Sequence, residues 1–180
     1  MRLPATLLLA AMLGATAVAA GDGVIAERRA TMKSFATAAR TISDMFAGKQ
    51  AYDWRQFKAA AELIGHGSGA ALRADFPPGS IGEGSHAMPE IFSAWPEFTR
   101  RSDQLALLAA GLARAADASR GAIGSDMRMR AGMTMGGSLL ASREKPLTEA
   151  EISALPAEHI FHLMVEQCTA CHAKFRSRDN

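Results

Sequence analysis

Cysteine occurs only twice in the 180 residues, so no disulfide framework holds this fold together. Tyrosine occurs once and aromatic residues make up 6% of the chain. β-Branched runs, strand-like alternation and internal repeats are missing, which argues against a sheet-built core. Neither sign of charge dominates. The formal net charge is +2, and it falls by one if Arg2 is removed with a leader, too weak a field to draw the chain to nucleic acid or a membrane surface. Past the N-terminus no apolar run is long enough to span a bilayer. What the chain does have is alanine and ten methionines, a composition that favours helices.

The N-terminus reads as an export signal. Met1-Arg2 gives a short positive start, Leu3 to Val18 is almost wholly apolar, and Ala17-Val18-Ala19 supplies the small residues of a cleavage site. Residues 1–20 are therefore expected to be a signal peptide, cut after Ala19 or Ala20, with an uncleaved N-terminal anchor as the alternative. Residues 21–180 remain as one ordinary domain, placed in the periplasm.

Four stretches carry helical periodicity. The first runs from about Val24 to Gly48, with Ile25, Met32, Phe35, Ala39, Ile42 and Phe46 on one stripe. The second runs from about Asp53 to Ala74 and is weakened by Gly65, Gly67 and Gly69. After the helix-stopping loop Asp75 to Ser85, a third begins at Pro89-Glu90 and reaches about Ala118, with Pro96 expected to kink or break its first turns. Thr148 and Glu151 form a capping box, Pro156 interrupts, and a last helix runs from about Ala157 to Arg176. The expected fold is all-α, an antiparallel four-helix bundle, with an additional methionine-rich segment at about 119–147.

The chemistry sits on the last helix, in Cys168-Thr169-Ala170-Cys171-His172. A disulfide between cysteines three apart closes almost no loop and stabilises little. A thioredoxin-like dithiol belongs near a βαβ pattern, which is absent. A zinc site from His159, His162, Cys168 and Cys171 fails on geometry. On one helix His162 and Cys168 are about 240° apart and about 9 Å along the axis. His159 and His162 read instead as surface or core-edge histidines. C-x-x-C-H is the attachment signature of c-type haem. The two cysteines lie about 60° apart on one helix face, suited to two thioether bonds, and the following histidine can turn a nitrogen to the iron.

With that motif at the C-terminal end, the chain resembles the cytochrome c′ family. Phe175-Arg176 after His172, Phe76-Pro77-Pro78-Gly79-Ser80, Ala87-Met88-Pro89-Glu90-Ile91-Phe92, and Arg28 with Met32 four residues on are similar to that family's motifs. The resemblance covers roughly residues 24–118 and 157–177. It implies one haem c held by Cys168 and Cys171, with His172 as proximal iron ligand. Met32 falls where the family's sixth coordination site is bordered. It is either the distal ligand of a low-spin member or a core methionine beside five-coordinate iron. Arg28 is placed to pair with a haem propionate or to be solvated. Arg176 is placed to tune the proximal side or to be an ordinary helix-terminal cation.

Two functions follow from the resemblance: single-electron transfer to redox partner proteins, without catalytic residues, or binding of nitric oxide or another small gas by an open iron. A homodimer would use the outer faces of the first two helices. The Met127, Met129, Met133 and Met135 segment departs from the family, and reads either as an apolar flap or as a soft-thioether copper site.

Overall fold

A computed structural model describes residues 12–82, 84–130 and 146–178. Its helices are α1 (Met12–Phe46), α2 (Trp54–His66), α3 (Ala70–Ala74), α4 (Glu90–Ser93), α5 (Trp95–Ala118), α6 (Glu149–Ser153) and α7 (Ala157–Phe175). Among the described residues there is no strand, only an isolated antiparallel bridge between Ala87 and Arg176. No helix among them is long and apolar enough to cross a membrane. Helices α1, α2, α5 and α7 form the expected four-helix bundle, with α2 packed on α1 and α5, and α5 on α7.

The element boundaries show where local chemistry was readable. α1 begins twelve residues before the expected Val24, because the alanine-rich run ahead of it also has high helix propensity. Asp53 lies outside α2 as its N-cap, its carboxylate accepting from the backbone N–H groups of Arg55 and Gln56. The expected second helix is broken after His66 and resumes as α3. Gly69 sits at φ +60°, a conformation a non-glycine residue resists. A Cβ at Gly67 would come within 2.6 Å of the Phe35 ring, so α1 and α2 meet at that point only because no side chain intervenes. The third helix likewise divides into α4 and α5 at Ala94, with Pro96 in the first turn of α5. The Thr148–Glu151 capping box is present in full on α6, and Pro156 separates α6 from α7.

Two apolar clusters fill the bundle. The larger includes Ile42, Met45, Phe57, Ile64, Leu108, Leu112, Ile160 and Met164. The smaller consists of Leu72, Phe76, Ile91, Phe98 and Phe175. Met127, from the additional segment, is buried in the larger cluster. As a core residue it is unavailable for a surface copper site, and Met133 and Met135 lie outside the described residues. His159 is buried, so it is a core histidine rather than a surface one.

Candidate functional site

At the end of the bundle that carries α3, α4 and the C-terminal turns, α1 and α7 stand apart on either side of a cavity of about 270 Å³. α1 contributes Ile25, Arg28, Arg29 and Met32, spaced so that successive turns present them to one side. α7 and the residue after it contribute Cys171, His172, Phe175 and Arg176. The back wall is apolar: Leu72, Phe76, Ile91 and Phe98. Ser85, His86 and Ala87 close the rim. Every fully charged side chain lining the cavity is an arginine.

Of the motif, Cys171 and His172 line the cavity, whereas Cys168 is not among its lining residues. Cys168 is partly buried against the larger cluster and Cys171 against the smaller, so the two thiols bridge both halves of the core. Neither is in a disulfide. Burial raises the pKa of Cys168, and pushes that of Cys171 up to about 11 against an opposing pull from Arg101. Both are therefore neutral thiols at neutral pH. A dithiol exchange centre needs the opposite, a depressed pKa. Among the described residues no three His, Cys, Asp or Glu side chains are grouped to hold a metal ion.

His172 borders the cavity and keeps much of its surface exposed. Desolvation by neighbouring atoms, then the positive charge of Arg176, lowers its pKa. The imidazole is thus held neutral, with a lone pair free for a metal. Met32 borders the cavity from α1 and packs against both clusters.

Arg28 is only 5% exposed, which separates it from a solvated surface arginine. Its Nη2 donates to the Ser80 carbonyl at 2.6 Å, and its guanidinium lies 4.8 Å from the centre of the Phe76 ring. Burial lowers its pKa, opposed by the charge of Asp75. Arg29 and His86 escaped the sequence reading. Arg29 donates to the Gly84 carbonyl, and the Ser177 N–H donates to the His86 carbonyl at 2.8 Å. Both contacts join residues more than fifty positions apart, and no local pattern announces them. Arg176 is fixed at the rim by the bridge to Ala87, beside the Met88 N–H donated to the Phe175 carbonyl.

A neutral thiol, a neutral imidazole and a thioether around an apolar cavity with a cationic rim, with the second thiol one turn further along α7, suit a flat, apolar, dianionic metal macrocycle. A sequence model of the family described as Cytochrome C′ matches residues 23–133. The chain belongs to the cytochrome c′ family. As a cytochrome c′ it carries one covalently bound haem c. The matched stretch holds the α1 and loop walls of the cavity and ends before Cys168.

Solved cytochromes c′ share the fold. That of Shewanella frigidimarina is 18% identical, with a TM-score of 0.61 over 88% of this chain and 97% of its own. That of Thermochromatium tepidum is 20% identical, with a TM-score of 0.59 over the same shares, 88% and 97%. The cytochrome c′ of Alcaligenes xylosoxidans is 22% identical, with a TM-score of 0.59 and again 88% and 97% covered. No curated protein matches the chain by sequence.

Proposed function

We propose that this cytochrome c′ is an exported single-electron carrier whose iron is ligated by His172 and Met32. The observation that carries the reading is that these two side chains, from α7 and α1, border one cavity whose walls are otherwise mostly apolar. When bound, the haem supplies an iron that gains and loses one electron. The chain's own residues do the rest. Cys168 and Cys171 would hold the haem through two thioethers, each formed by addition of S–H across a vinyl group, which would need no oxidant. His172 offers its neutral nitrogen to the iron. The Met32 thioether favours the ferrous state and raises the potential.

Arg29 and Arg176 at the rim, with the N–H groups of Arg28 not committed to Ser80, are placed to neutralise the two propionates. Leu72, Phe76, Ile91 and Phe98 keep water from the ring. No group is assigned a catalytic role. Partners would be redox proteins that approach the rim.

A second reading has one observation in its favour. Met32 is also a packing residue of both clusters, and a side chain held by the core can border iron without binding it. The iron would then be five-coordinate and open to a small gas. A related structure is the nitric oxide complex of a mutant of the Alcaligenes xylosoxidans protein.

Visible spectra of the purified protein decide between the two. Electron transfer predicts a low-spin ferric spectrum, no carbon monoxide binding, and conversion to high-spin in Met32→Ala. A high-spin parent that binds carbon monoxide readily, with a spectrum Met32→Ala leaves alone, overturns ligation by Met32.

Export would remove residues 1–20, and the intact mass of periplasmic protein tests this. A homodimer would use the shallow groove on the outer face of α1 and α2, lined by Thr37, Ala38, Ala59 and Ala60 beside exposed Leu63. One solved relative is a cytochrome c′ with ligand-controlled dimer dissociation.

A further inference from the structure

Gln104 lies on α5 and is only 5% exposed, yet neither its Nε2 nor its Oε1 has a hydrogen-bond partner. A buried primary amide without partners is uncommon and costly to a fold. Its place is fixed by contacts on either side. Seven residues before it, Glu97 is paired with Lys174 of α7. Seven residues after it, Gly111 faces Ile160 of α7, where an added Cβ would meet the Ile160 Cδ1 at 3.5 Å. Seven residues are two helical turns, so residues 97, 104 and 111 share one stripe of α5. The partner turn on α7, midway between residues 160 and 174, is the one that carries Gln167 and Cys168. Arg101, one turn before Gln104, already acts on Cys171 through its charge. By this register Gln167 faces Gln104 and Cys168 is the next residue on the same turn, and the amide makes no hydrogen bond to the free thiol.

We propose that Gln104 is a positioning residue for the haem, its amide N–H directed to the sulfur of Cys168 once that sulfur is a thioether. The inference rests on Cys168 being an attachment point. The chemistry matches. As a thiol, Cys168 is both a weak donor and a weak acceptor. When its hydrogen passes to the vinyl carbon, the sulfur retains only acceptor capacity, which complements an N–H. A donor at that sulfur withdraws electron density from the covalent edge of the ring and favours the ferrous state, the lever that outer hydrogen bonds exert on a redox centre.

The test uses the mature holoprotein and two apolar replacements, Gln104→Leu and Gln104→Met, the second nearly matching the length of glutamine. Intact mass first reports covalent haem in the parent and both variants. Redox titration then reads the midpoint potential, and visible spectra report the axial ligands. The expected result is full haem loading, unchanged axial-ligand bands and a lowered midpoint potential in both variants. A potential that is unchanged or raised, alongside higher thermal stability, shows the amide to be a structural orphan and overturns the proposal. A parent that lacks covalent haem overturns the attachment reading itself, and Gln104's role with it.

Discussion

Where α1 turns into α2, the side chains of Phe46, Tyr52, Phe57 and Phe161 lean on one another. Phe46 and Phe57 meet edge to face at 5.5 Å, and Tyr52 lies 5.8 Å from Phe57. Residues 127 and 128 of the additional segment pack at this end: Met127 is buried, while Arg128 donates to the Phe46 carbonyl at 2.7 Å and to Glu158 at 3.1 Å.

At the other end the aromatic residues are as close, with Phe98 at 5.1 Å from Phe76 and 5.5 Å from Phe175. They are arranged as a wall, however, and α1 and α7 stand apart in front of it. The same alanine-rich helices thus make a protein-only core at one end and a lined receptacle at the other. Order at the first end needs only the chain. On the proposed haem site, order at the second would be linked to the prosthetic group, because whatever binds the folded state alone stabilises it.

The sharpest way to break the comparison is to replace Cys168 and Cys171 together by alanine. Intact mass is expected to lose the whole haem. The receptacle end should then exchange its amide hydrogens much faster, while the Phe57 end keeps its protection.

Next come core truncations measured by urea unfolding. Phe57→Ala is expected to cost about 3–5 kcal/mol, by the same amount with and without haem. Phe98→Ala should cost about 3 kcal/mol in the holoprotein and clearly less in the double-alanine chain, since the wall then has less to pack against. Equal costs in both backgrounds would erase the distinction.

Gly111→Ala is a smaller probe of the α5–α6 seam. An added Cβ would lie 2.5 Å from the Ile152 Cγ2, so a loss of about 1–3 kcal/mol is expected. Gly82→Ala, where nothing lies within 4 Å, should change stability by less than about 0.5 kcal/mol.

The smallest effect concerns Glu97. Its pKa is lowered chiefly by the Lys174 hydrogen bond and then by Arg101. A carboxylate with a depressed folded pKa contributes stability above its unfolded value, about pH 4.3, and loses it as pH falls through the folded value. These ion pairs are partly exposed, so Glu97→Gln should cost about 0.5–1 kcal/mol at pH 7 and progressively less as pH falls through the folded value.

What the sequence made legible followed local rules. The Thr148–Glu151 box, the break at Pro156 and the shared face of Cys168 and Cys171 depend on residues within a few positions of each other. The break between α2 and α3 was missed because three glycines in a row of alternate positions weaken a helix without saying where it stops. Only the approach of Phe35 and the φ of Gly69 decide that. Burial of Arg28 was equally hidden, since an arginine reads as solvated until Ser80 and Phe76 arrive from fifty residues away. Met127 could not be told from its neighbouring methionines, because its burial depends on contacts with distant helices rather than on its local sequence.

The strap that ties Phe175 and Ser177 to Met88 and His86 also dictates how the protein can be handled. Anything fused after Arg178 emerges beside the mouth of the receptacle, where a purification tag rich in histidine would compete for iron and block an approaching protein. Tags and surface immobilisation belong on the far face, near the Phe46 turn.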